Sequence, residues 1–137
     1  MRVAVVFFGE NRRDKLLAIS KGLARGLEEQ GHHVDIVDGR RDVNTKLTIY
    51  NYIAVGTQSL SIIGGKIPEK VSAYLANSGM LQGKRCFAYV VKTFLGSTRA
   101  LSRLMKSMEA EGMFLKYSEI IQSELEAEEI GKRLHIK

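Results

Sequence analysis

The sequence predicts a three-layer α/β domain, with five parallel strands in the order 2-1-3-4-5 held between helices. Two observations predict it. Five short apolar runs alternate with longer segments of helical periodicity, which is the pattern of βαβ units feeding a parallel sheet. The first run, Arg2–Phe8, is apolar almost throughout instead of at every second residue, as a strand covered on both faces requires. Right-handed crossovers then restrict the topology, placing the first and last helices on one face and the two between them on the other. The 137 residues are read as a single domain, 1–137.

The first strand is Arg2–Phe8. A helix over residues 13–30 follows, with Leu16, Ile19, Leu23 and Leu27 on one stripe and Gly31 as its left-handed stop. The second strand covers 33–37. Residues 38–51 are too polar for a full helix and are expected to form a reduced, turn-like crossover to the third strand, 52–56. Pro68 fits the first turn of a helix that carries Val71, Tyr74 and Leu75. The fourth strand is Arg85–Val91. The helix over 97–111 has its stripe at Leu101, Leu104, Met105 and Met108, and Leu101, Leu104 and Met108 are expected against the sheet. After a fifth strand at Phe114–Ile121, Ser123 and Glu126 have capping-box spacing for a last helix that ends near Leu134.

Composition excludes several functions. No apolar run approaches the roughly 20 residues needed to span a bilayer. Charged Glu10, Arg12, Arg13 and Asp14 follow the first apolar run where a signal peptide would have a cleavage site, so the chain is expected in the cytoplasm and away from membranes. Cys86 is the only cysteine and sits inside Cys86-Phe87-Ala88-Tyr89-Val90-Val91, where a buried structural thiol is expected. His32, His33 and His135 lack metal-ligand spacing, and there is no nucleophile elbow, Walker loop or dinucleotide fingerprint. The charge is +6 and the pI about 9.5, which suits an anionic cofactor, an acidic protein or nucleic acid. Nucleic acid is disfavoured, because no aromatic platform and no recognition-helix pattern accompany the basic residues.

In an open parallel sheet, ligands bind outside the carboxyl ends of the strands where the strand order reverses. The segments there are Gly9-Glu10-Asn11-Arg12-Arg13-Asp14-Lys15, the loop after Val55-Gly56-Thr57 that runs through Gln58, Ser59 and Gly64-Gly65-Lys66-Ile67-Pro68, and Lys92-Thr93-Phe94-Leu95-Gly96-Ser97-Thr98. Over the whole chain this arrangement resembles a short-chain flavodoxin. Phe7-Phe8-Gly9 resembles the strand-to-loop entry of that family, and Lys92 to Thr98 the loop covering one face of its flavin.

The resemblance implies a flavodoxin-like fold with FMN at the C-terminal strand edge, serving electron transfer or reduction of a small acceptor, with a redox partner protein. It also exposes a departure. The family binds the FMN phosphate with a loop of the type T-x-T-G-x-T, whereas Gly9 to Lys15 contains no Ser or Thr. Arg12, Arg13 or Lys15 would then replace the hydroxyls, with Gly9, Glu10 and Asn11 completing the loop. Phe94, with Phe8 as a lesser alternative, is the expected stacking face, Thr57, Gln58, Ser59 and Thr93 would offer polar contacts to the ring edge, and Gly96 belongs to the loop expected to cover the flavin. The alternative is a cofactor-free binding or accessory module of the same fold, acting through its basic surface.

Overall fold

A computed structural model describes residues 1–136. Its elements are β1 (Arg2–Phe8), α1 (Arg13–Glu29), β2 (His33–Asp38), β3 (Tyr52–Thr57), α2 (Lys70–Ala76), β4 (Arg85–Val91), α3 (Ser97–Ala110), β5 (Phe114–Ile121) and α4 (Glu124–Arg133). All pairings are parallel, and the sheet order is β2-β1-β3-β4-β5. The strand order reverses between β1 and β3, which pair Val3 with Tyr52 through to Phe8 with Thr57.

Successive side chains of a strand point to opposite faces, so each central strand serves two cores. Ala4, Val6 and Phe8 join Ile53, Val55, Ala88 and Val90 beneath α2 and α3. Val3, Val5 and Phe7 join Tyr52, Ala54, Phe87 and Tyr89 beneath α1 and α4. The stripe of α1 is buried as its spacing requires, and Gly31 ends the helix at φ 95°. Each such side chain contributes about 1.5–3 kcal/mol on full burial. Ser123 caps α4, its Oγ accepting the Glu126 N–H at 3.2 Å.

The stripe of α3 differs from the expected one at one position. Leu104 and Met108 are fully buried, but the third sheet-facing residue is Ala100, and Leu101 is only half-buried at the edge of the core. The loop after β3 crosses the first turn of α3 so closely that a Cβ on Gly65 would lie 2.6 Å from the Ala100 nitrogen. A small residue fits at that crossing, and the larger Leu101 lies to its side.

No helix forms between β2 and β3, in keeping with the polarity of the segment. Residues 39–51 run as successive turns over the sheet edge, anchored by buried Leu47 and Tyr50. The Leu47 N–H donates to Ser78 O at 2.6 Å, the Tyr74 hydroxyl donates to Thr45 O at 3.0 Å, and Lys84 Nζ donates to the carbonyls of Thr48 and Tyr50. Backbone groups left without a helix are thereby satisfied.

Helices α1 and α4 lie in backbone contact. A Cβ on Gly22 would stand 2.3 Å from Glu124 O and one on Gly26 2.2 Å from Glu128 O. Glycines four residues apart on one face of α1 therefore set the helix separation. Arg25, between them, pairs with Glu124 and Glu128, and Gln30 Nε2 donates to Gly131 O and Leu134 O at the far end of α4.

Candidate functional site at the strand-order reversal

The carboxyl ends of β1, β3 and β4 bring three loops together at the reversal. The first, 9–12, leads into α1 and is organised by a side chain from the second. Gln58, wholly buried just past β3, accepts the N–H groups of Glu10 at 2.5 Å and Arg12 at 3.1 Å on its Oε1, and its Nε2 donates to Asn11 Oδ1. Two backbone N–H groups converging on one oxygen form an anion-binding concavity at a helix N-terminus. Here the oxygen belongs to the protein.

Thr57 is also fully buried, its Oγ1 donating to Phe8 O at 2.9 Å, so it ties β3 to β1. Ser59 Oγ donates to Ser61 O at 2.7 Å, and the Leu60 N–H donates to Lys66 O, closing the second loop on itself. The third loop abuts it. Gly96, left-handed at φ 88°, has a Cβ position only 3.1 Å from Ser59 Oγ and 3.2 Å from Ile62 O, so any other residue there is both strained and crowded. Thr93 Oγ1 donates to Leu95 O within its own turn.

The tips of these two loops are apolar and in water. Phe94 is 98% exposed and Ile62 80%, and Ile63 and Leu95 are exposed with them. A groove of about 320 Å³ runs between them, lined by Ile63, Phe94, Leu95, Gly96 and Arg99 among others. Sequence reasoning named Phe94 but missed the aliphatic companions. Two adjacent isoleucines before Gly64-Gly65, in a segment with no strand or helix periodicity, were the available signal. Phe8, the lesser stacking candidate, is buried against Tyr74 with ring centroids 5.5 Å apart and does not reach this surface.

The basic side chains divide into two groups. Arg13 turns away from the loop, donating to Asp38 Oδ2 from Nε at 3.2 Å and from Nη2 at 3.0 Å, with its guanidinium over the Phe7 ring. Arg40 donates to Gly9 O at 3.1 Å, and Arg41 lies 3.7 Å from Asp38. Arg12, Lys15, Lys66, Lys92 and Arg99 form no ion pair among the described residues. Asp38, which also accepts the Arg40 N–H, is the organiser that the sequence reading did not single out. Its signal was an acidic residue ending an apolar strand two residues before Arg40. No three His, Cys, Asp or Glu residues come together as a metal site among the described residues, and none of the described helices is long and apolar enough to cross a membrane.

Solved structures similar to this one include a flavodoxin from the domain Archaea, which matches with a TM-score of 0.70 at 17% identity over 96% of this chain and 94% of that one. This chain has the flavodoxin fold. Flavodoxin 2 from Bacillus cereus matches its flavodoxin-like architecture with a TM-score of 0.75 at 12% identity, covering 96% and 95% of the two chains. The two-electron reduced flavodoxin of Megasphaera elsdenii matches with a TM-score of 0.68 at 15% identity, covering 95% and 96%. No family model matches the flavodoxin-like chain, and no curated protein matches it in sequence.

Proposed function

We propose that this protein binds FMN at the strand-order reversal and carries electrons to or from a partner or a small acceptor. The observation that carries the reading is the exposed apolar surface on the two loop tips, with Phe94 at 98% and Ile62 at 80% exposure. Apolar side chains gathered on neighbouring loops mark a binding surface, and an aromatic ring system covers both aliphatic and aromatic neighbours well. FMN, when bound, supplies the redox chemistry at its ring.

The residues present fit such a ligand in these terms. Phe94 with Ile62, Ile63 and Leu95 would shield the ring from water, and the polar atoms of the loops beginning at Ser59 and Thr93 would face its edge. Arg12 and Lys15, which form no ion pair among the described residues, would give the start of α1 a basic rim, while Arg13 stays with Asp38. A protein partner meeting this edge would find an apolar centre rimmed by Lys66, Lys92 and Arg99, so we infer an acidic partner. Quenching of flavin fluorescence tests the ligand. Wild type is expected to bind FMN at micromolar concentration, and Phe94→Ala to bind about tenfold or more weakly, since an aromatic contact contributes about 0.5–1.5 kcal/mol beyond its buried area. No binding of FMN or riboflavin at tens of micromolar would overturn the reading and leave the cofactor-free module, which the Gln58 carboxamide in the anion position favours.

A further inference from the structure

We propose that Gln58 determines the flavin specificity of this site: its carboxamide oxygen holds the position a phosphate oxygen would take, so the wild-type protein does not select its ligand by the phosphate. The inference rests on the flavin reading for its ligand but on loop geometry for its mechanism. An amide oxygen has two lone pairs, and here both face N–H groups, those of Glu10 and Arg12. The amide nitrogen is held as well, on Asn11 Oδ1, and the side chain is fully buried. A phosphate oxygen can reach those two N–H groups only by expelling a side chain that makes three hydrogen bonds. In a loop furnished with Ser and Thr hydroxyls, donors wait for the ligand. In this loop they are exchanged from one acceptor to another, and most of the gain from the new bonds is offset by the loss of the old. The uncharged amide does this without neutralising the positive end of α1, so the preference for an anion is suppressed and not reversed.

The measurement compares FMN with riboflavin, which lacks the phosphate, in wild type, Gln58→Ala and Gln58→Glu. Wild type is expected to bind the two flavins with affinities within about threefold of each other. Gln58→Ala, which frees the two N–H groups, should bind FMN about tenfold or more tightly than wild type while riboflavin stays within about threefold. Gln58→Glu keeps an oxygen between the same donors and adds a charge, so it should retain riboflavin and lose FMN. If both variants instead lose both flavins, or if Gln58→Ala leaves the ratio at its wild-type value, Gln58 only shapes the loop and the proposal falls.

A second readout does not depend on flavin. Inorganic phosphate titrated into isotopically labelled protein should shift the amide resonances of Glu10 and Arg12 in Gln58→Ala and leave them in place in wild type, with the dispersion of the spectrum reporting that the variant is folded. Should neither flavin bind while phosphate moves those amides in the variant alone, the flavin function and its specificity fall, and only the occupation of the anion position by Gln58 stands. Amides that respond in both proteins, or in neither, would overturn it.

Discussion

Tyr50, Tyr74 and Cys86 show what burial does to single side chains here. Burial pushes the Tyr50 hydroxyl up to about 12, helped by the hydrogen bond it donates to Asp35, and burial also pushes Tyr74 up to about 12. The Cys86 thiol rises to about 12 for the same main reason, with Glu109 adding to it. In each case the neutral, protonated form is favoured in the folded state. An unfolded chain would release these protons from about pH 9 for the thiol and about pH 10 for the phenols. Between there and about pH 12 the folded state therefore binds more protons than the unfolded one, and stability must fall as pH rises. Urea midpoints measured from pH 8 to 12 are expected to hold steady and then drop through that window, and a flat profile would contradict the burial of these groups. The burial of Cys86 was legible in its apolar run. The position of Gln58 was not, because the groups it binds lie nearly fifty residues away in sequence and local pattern carries no information about them. The pairing of Arg13 was hidden for a related reason: it begins α1, and its partner Asp38 ends β2.

At the scale of the element, the apolar runs located all five strands to within a residue. Strands β1, β3 and β4 are buried on both faces and marked by nearly every residue, whereas the edge strands β2 and β5 are mostly half-buried or exposed. Helix faces are marked less completely. The expected stripe of α3 gave weight to large side chains and passed over Ala100, whose burial follows from the crossing of a loop far off in sequence. The core of that helix is tested by Leu104→Ala, expected to cost about 2–5 kcal/mol, against Lys106→Ala on the exposed face, expected to be neutral within about 0.5 kcal/mol. Thermal denaturation of both variants decides it. The α1–α4 contact offers a sharper test. In a free helix Gly→Ala is stabilising by about 0.5–1 kcal/mol, but a Cβ on Gly26 meets backbone at 2.2 Å. Gly26→Ala should thus destabilise the protein by about 1–3 kcal/mol, as overpacking does, and a raised melting temperature would refute the contact.

Across the whole molecule, strand order was legible because alternating elements and right-handed crossovers leave few alternatives. The expected place of the candidate site, at the reversal between β1 and β3, followed from that order alone. What fills the loops there was not legible, since exposure of Ile62 or Phe94 depends on how two loops lean on each other. The sheet has a further consequence, for the way the chain acquires its structure. No two neighbouring strands are joined by a hairpin, and paired residues lie about 30 to 50 positions apart along the chain. Strand β1, which lies between β2 and the central β3, cannot complete its pairing until β3 has left the ribosome, and β5 can close the sheet only after nearly everything else exists. Early in synthesis β1 and α1 have each other but no sheet, and the newly made strands expose both apolar faces. Folding is therefore paced by closure of long loops, and nascent β1 is the segment with the longest wait for its partners.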